Sequence, residues 1–207
     1  TKDIPKPLVK VGGKPMLTHI LDWVNGQGCN RVLVLTGHHG EKFDDFSYPG
    51  LELSFVQEPH QLGTGGALWN ARDELEDEFI LLWGDDYHPI DYNPLVELHR
   101  KTSSPLTMTV TPDHEEKNLQ FKQGRLVAYN KEEIDIGRFN GYEAGTSVVR
   151  KSVVLDHGKE GTWSWENTIY PTLSTEIHVH VDSTPFWDIG TPERLERLEK
   201  FFNVSSR

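Results

Sequence analysis

The run from Arg31 to Thr36, RVLVLT, limits this chain more than any other feature. A nearly uninterrupted apolar hexapeptide has no wet face, so it suits a strand covered on both sides, and that demands helices above and below a sheet. The flanking pattern supplies them. Leu17, Ile20, Leu21 and Val24 recur at i, i+3, i+4 and i+7 after Pro15, which predicts an amphipathic helix ending near Gly26 or Gly28. Residues 51–56 and 79–83 predict further strands, with a helix over 64–75 between them. Strand and helix alternating with short joins specify an α/β fold with crossover connections and a parallel sheet.

The second half is less regular. Residues 106–111, 125–129, 143–149 and 177–181 predict strands of a mixed extension. Thr191 is a good N-cap, Pro192 fits the first helical position, and Leu195, Leu198 and Phe202 line one side of a closing helix. No linker, repeat or low-complexity stretch divides the 207 residues, so one domain, 1–207, is expected.

The formal charge of -11 argues against a nucleic-acid groove, which needs clustered Lys and Arg. No stretch reaches the roughly 18 apolar residues that span a bilayer, so no membrane partner is expected. Cys29 is the lone cysteine, and with no apolar signal core at the start, a reducing cytoplasm is the expected location. A homo-oligomer is compatible with all of this.

Three segments bear on phosphate chemistry. Lys6 in PKPLV, followed by Gly12-Gly13-Lys14-Pro15, sets ammonium groups among fixed turns, but the spacing is not that of a Walker A loop. Glu58 to Ala67, EPHQLGTGGA, places glycines at a helix start, where backbone N–H groups are expected to be free for a ligand. A dinucleotide fingerprint starting at Gly63 fails at Leu68. The third segment, LLWGDD, ends an apolar strand in Asp85 and Asp86, and FWDIGT places Asp188 in a similar apolar setting before the last helix. Carboxylates beyond a strand's carboxyl end are placed to hold Mg²⁺ on a nucleotide. His178 and His180 would share a strand face, and His38-His39 sit at a strand end, which is the rival transition-metal reading; surface histidines are the commoner case.

Together these segments resemble the sugar-1-phosphate nucleotidyltransferase family. The resemblance runs through Pro5–Leu8, Gly13–Met16, Glu58–Ala67, Gly84-Asp85, Ala144-Gly145 and Asp188–Pro192, in that order. Its LGTGGA spelling is most similar to heptose-1-phosphate and mannose-1-phosphate guanylyltransferases. It implies a single-domain, Rossmann-like open mixed sheet, mostly parallel and flanked by helices. It also implies an NTP, GTP favoured, and a sugar 1-phosphate as substrates, with Mg²⁺ as cofactor. Lys6 would contact phosphate, Asp85 and Asp188 would share the Mg²⁺, and Glu58, Leu62, Gly63 and Thr64 would border the nucleotide. Gly145, Glu166 and Asn140 would surround the sugar. Asp86 is expected to point to the opposite side of the strand end.

The family opens with a strand and a Gly-rich loop ending in Thr-Arg, which these 207 residues do not contain. Both are expected upstream of Thr1; the alternative is a truncated, inactive relative. Uridylyl-, cytidylyl- and thymidylyltransferases are the alternatives within the family. A catalytically silent sugar-nucleotide sensor would keep the same pocket, and a dinucleotide oxidoreductase would need the fingerprint that Leu68 breaks.

Overall fold

The computed structural model describes residues 4–131 and 137–205, with side chains as far as residue 202. Pro5 and Pro7 impose a 3-10 turn, Lys6–Leu8, followed by a ribbon of β1 (Lys10–Val11) against β2 (Lys14–Pro15). Gly12 and Gly13, at φ +55° and +87°, close that ribbon in a conformation other residues enter at a cost. Helix α1 (Met16–Gly26) buries Leu17, Ile20, Leu21 and Val24, the four residues whose spacing predicts it.

Strands β3 (Arg31–Thr36) and β4 (Glu52–Gln57) pair in parallel, Arg31 opposite Glu52 through Thr36 opposite Gln57. Helix α2 (Gly63–Asn70) is shorter than the predicted 64–75, because a 3-10 turn, Arg72–Glu74, takes the remainder. Next come β5 (Glu78–Leu82), the two-residue β6 (Asp86–Tyr87) and α3 (Tyr92–Thr102). The sequence reading missed α3, although Asp91 caps it by accepting the Asn93 N–H at 2.9 Å.

Strand β7 (Leu106–Thr111) is buried along its whole length. The hairpin of β8 (Leu119–Lys122) and β9 (Arg125–Tyr129) follows, then β10 (Tyr142–Arg150), α4 (Lys151–His157) and α5 (Trp165–Thr172). Strands β11 (His178–Val181) and β12 (Trp187–Asp188) lead into α6 (Pro192–Ser205), where the Thr191 hydroxyl accepts the Arg194 N–H as its predicted cap.

The main sheet runs β5-β10-β7-β11-β9-β8. The expected α/β architecture, a mixed sheet flanked by helices, is present, but its pairings depart from the mostly parallel expectation. Among the described residues only β7 and β11 run parallel within it; β10 pairs antiparallel with both β5 and β7, and the β8–β9 hairpin joins β11 antiparallel. Only β8–β9 is a direct hairpin return; the other antiparallel pairs join strands separated in sequence by further elements. Nor is β3 dry on both faces. Val32–Leu35 and all of β5 are half-buried, and among the described residues β3 and β5 lie in separate sheets.

Two large cores hold the layers, beside a small one of Leu17, Leu21 and Phe43. Trp165, Ile169 and Tyr170 of α5 pack with Leu106, Met108 and Val149 of the sheet. On the other face, Met16, Ile20 and Val24 of α1 meet Leu95 of α3 and Leu198 of α6. Both carry functional segments: the first underlies α2 and the Trp163 loop, the second the β6–β12 junction.

Candidate active site

Lys6 reaches the carboxyl end of β5 because Pro7 packs against Gly84; a Cβ on Gly84 would lie 2.9 Å from Pro7 Cγ. Its ammonium sits 2.7 Å from Asp85 Oδ2. The short ladder between β6 and β12 does the rest. It sets Asp188 opposite Asp86, while the Ile189 N–H donates to the Asp85 carbonyl at 3.1 Å. The structure thus pairs the side chains of Lys6 and Asp85 and runs the backbone at Asp188 and Ile189 alongside Asp85 and Asp86. Asp188 accepts the Gly190 N–H on Oδ1 at 2.8 Å and the Arg194 guanidinium on Oδ2 at 2.9 Å.

Asp86 does not point away. Its Oδ2 would lie 2.4 Å from a Cβ placed on Gly145, so the two occupy one spot and only glycine fits there. Burial, then the charges of Asp85, Glu143 and Asp188, push the Asp86 carboxyl well above its ordinary range. The expectation of an outward side chain fails because the two-residue strand turns the chain into the site rather than extending β5. Carboxylates crowded this closely are a donor set for a hard divalent cation. Among the described residues no three His, Cys, Asp or Glu side chains converge as a complete cage, for Mg²⁺ or for the histidines. The arrangement matches Mg²⁺ held by one or two carboxylates with substrate phosphates completing its shell.

Gly145, at φ +71°, sits where β10 slips register against β7 between Glu143 and Ser147. Glu143 fixes this bulge: its Oε1 accepts the Gly145 N–H at 3.0 Å, and its own N–H donates to Asn118 Oδ1 at 2.9 Å. Burial, then the charge of Glu166, pushes the Glu143 carboxyl up to about 7. A carboxyl raised in the fold adds stability below its unfolded pKa and loses it as pH climbs through the folded value. Between pH 5 and pH 8, Glu143→Gln should therefore gain on the order of 2–3 kcal/mol relative to the parent. Urea unfolding at both pH values checks this, and an equal difference at each would refute it.

Glu166 lies in the first turn of α5, whose N-cap Ser164 accepts the Asn167 N–H. It accepts from Lys131 Nζ at 2.8 Å and from the Thr64 hydroxyl at 2.5 Å. Burial opposes its ionised form, but these hydrogen bonds outweigh that and hold its pKa below the ordinary value. The Thr64 hydroxyl also accepts the Trp165 N–H at 2.9 Å, so Thr64, expected beside the nucleotide, is tied to the Glu166 side.

The glycines of α2 serve packing as well as approach. Gly65 leaves room for the Trp163 ring, which a Cβ would meet at 2.1 Å, and Gly66 for the Gly161 carbonyl at 2.4 Å. Their N–H groups, expected from the sequence to be free, are engaged: those of Gly65 and Gly66 donate to the Trp163 carbonyl, and that of Leu62 to Glu58 Oε2 at 2.6 Å. Leu62 is buried, with Gly63 beside it at φ +70°. Glu58 borders a cleft of about 320 Å³ at the carboxyl ends of β3 and β4, whose other walls include Gly37, His38, Gln57 and His60.

Asn140 is not brought to the site. Both ends of its amide are spent on Phe121, Oδ1 accepting its N–H at 2.9 Å and Nδ2 donating to its carbonyl at 3.0 Å, so it braces β8. Conversely, Lys131, Glu143 and Arg194 were not foreseen. A lysine just after a predicted strand was a faint signal for Lys131; Arg194 in an ordinary helical turn offered none.

Residues 1–139 match the model of the nucleotidyl transferase family. A mannose-1-phosphate guanylyltransferase of Mycobacterium tuberculosis is 27% identical, over 95% of this chain and 58% of its own length. For a D-glycero-alpha-D-manno-heptose 1-phosphate guanylyltransferase of Aneurinibacillus thermoaerophilus the values are 24%, 96% and 89%. The crystal structure of HddC from Yersinia pseudotuberculosis complexed with GMP-PN superposes at a TM-score of 0.83 with 25% identity, covering 97% of this chain and 91% of that one. No described helix is long and apolar enough to cross a membrane. With a family match over more than half its length, this chain belongs to the nucleotidyl transferase family.

Proposed function

We propose that the protein condenses an NTP, with GTP favoured, and a mannose- or heptose-type 1-phosphate into an NDP-sugar and pyrophosphate, acting in the cytoplasm. The observation that supports this reading is the β6–β12 ladder, which sets Asp188 opposite Asp86, the residue after the Asp85 that pairs with Lys6. Glu143 links that cluster to Glu166: Asp86 feels its charge, and it feels the charge of Glu166. Asp85 and Asp188 would hold Mg²⁺, which when bound offsets phosphate charge. An oxygen of the sugar phosphate attacks the α-phosphorus in line and forms the new P–O bond. The bond from that phosphorus to the bridging oxygen breaks, and its electron pair leaves with pyrophosphate. Lys6 neutralises phosphate oxygens as charge shifts, while Glu166, steadied by Lys131 and Thr64, accepts sugar hydroxyls. No covalent enzyme intermediate is needed.

The preference for guanine rests on relatives and on Glu58. With Oε2 committed to Leu62, its Oε1 lies against Gly37 at the cleft, where a carboxylate suits the N–H donors of guanine's edge. Glu58→Gln should cut the preference for GTP over UTP about tenfold or more in kcat/KM, as one lost charged hydrogen bond would. An unchanged ratio removes Glu58 from base selection. The reading as a whole is tested by pyrophosphate release from four NTPs against mannose, heptose and glucose 1-phosphates. A clear preference for CTP, UTP or dTTP overturns the base assignment. Nucleotide binding without turnover favours the silent sensor.

A further inference from the structure

We propose that Arg194 is a latch on Asp188, keeping that carboxylate in a closed ion pair until a divalent cation competes for it and retaining Glu116 as its anchor afterwards. The inference rests on the reading of Asp85 and Asp188 as cation ligands. Arg194 stands in the first turn of α6 and forks between two carboxylates, Nη1 to Asp188 Oδ2 at 2.9 Å and Nη2 to Glu116 Oε1 at 2.9 Å. A planar guanidinium is suited to such a double engagement. With Oδ1 already accepting the Gly190 N–H, both oxygens of Asp188 carry a donor.

The partners differ in freedom. Asp188 is only 14% exposed and fixed by the β12 register, whereas Arg194 and Glu116 are 32% and 41% exposed. A guanidinium that releases Asp188 therefore stays charge-paired, and its release costs less than exposing a lone buried cation would. Asp85 is engaged in the same manner by Lys6, so each carboxylate of the pair carries a protein cation of its own. The molecule also holds its own control. Arg197 and Glu115 join the same helix to the same loop at 3.7 Å, both largely exposed and with no contact to Asp188.

The test is Mn²⁺ binding to nucleotide-free protein, followed by electron paramagnetic resonance of the free ion. Arg194→Met should bind Mn²⁺ roughly tenfold more tightly, because a charged hydrogen bond no longer competes. Glu116→Gln, which leaves Arg194 wholly on Asp188, should bind it several-fold more weakly. Arg197→Met and Glu115→Gln should stay within about twofold of the parent. The latch is overturned if Arg194→Met binds no more tightly than the parent, with both below detection counting as such. It is also overturned if Arg197→Met matches Arg194→Met, which would mean that net charge alone acts. Should Arg194→Met fail to fold, Glu116→Gln decides, and unchanged affinity there overturns the latch. Asp188→Asn separates the two failures: if it leaves Mn²⁺ affinity intact, the ligand reading itself falls.

Discussion

Asp85→Asn and Asp188→Asn should each lower kcat by about 10²–10³-fold while the protein stays folded, the loss typical of removing one group that stabilises developing charge. Asp85 lies in the turn between β5 and β6 and Asp188 ends β12, and the amide keeps the shape of each side chain. Asp188→Asn retains an oxygen for the Gly190 N–H, so the turn into α6 survives. Steady-state kinetics at saturating Mg²⁺, with circular dichroism as the folding control, reads the effect. Asp86→Asn is the informative comparison: Asp86 faces the site over Gly145, and its carboxyl is held towards the neutral form, which asparagine resembles. Its kcat should fall less than tenfold. Loss of turnover in Asp86→Asn with activity intact in Asp85→Asn would move the metal-bearing position by one residue.

Gly66→Ala should cost about 2–3 kcal/mol, lowering Tm by roughly 5–10 °C. The added methyl would meet the Gly161 carbonyl oxygen at 2.4 Å, and this neighbour is backbone rather than a side chain that can turn aside. Relief requires the Trp163 loop to lift from α2. That would strain the Gly65 and Gly66 hydrogen bonds to the Trp163 carbonyl and loosen Thr64 from Glu166. KM for the sugar phosphate should rise along with the loss of stability. Gly26→Ala, at the end of α1 with nothing within 4 Å, should be neutral or slightly stabilising. Thermal denaturation of both settles the matter, and equal Tm values would show that the loop yields freely.

What was legible in the sequence was whatever announces itself locally. Leu17 to Val24 gave α1 by spacing, and Arg31–Thr36 gave β3 by its apolar run. Asp85 and Asp188 stood out because a carboxylate ending an apolar segment needs a reason. Pairing direction was not legible, since β10 threads between β5 and β7 by tertiary choice and no property of its own residues says so. The α2 glycines misled for a related reason: glycine marks close approach without naming the partner, and here the partner is Trp163 as much as any ligand. Asn140 suited a sugar chemically, yet its amide is spent on Phe121. Lys131 and Arg194 acquire meaning only from carboxylates far away in the chain.

The two-residue ladder between β6 and β12 carries a consequence for timing. During synthesis at about 5–20 residues per second, Asp188 leaves the ribosome roughly 5–20 s after Asp85. On the proposed reading of Asp85 and Asp188 as cation ligands, the nascent chain until then carries half of the site. Under that reading turnover is reserved for chains that carry the segment through β12, and a product of premature termination would be silent rather than wasteful of nucleotide.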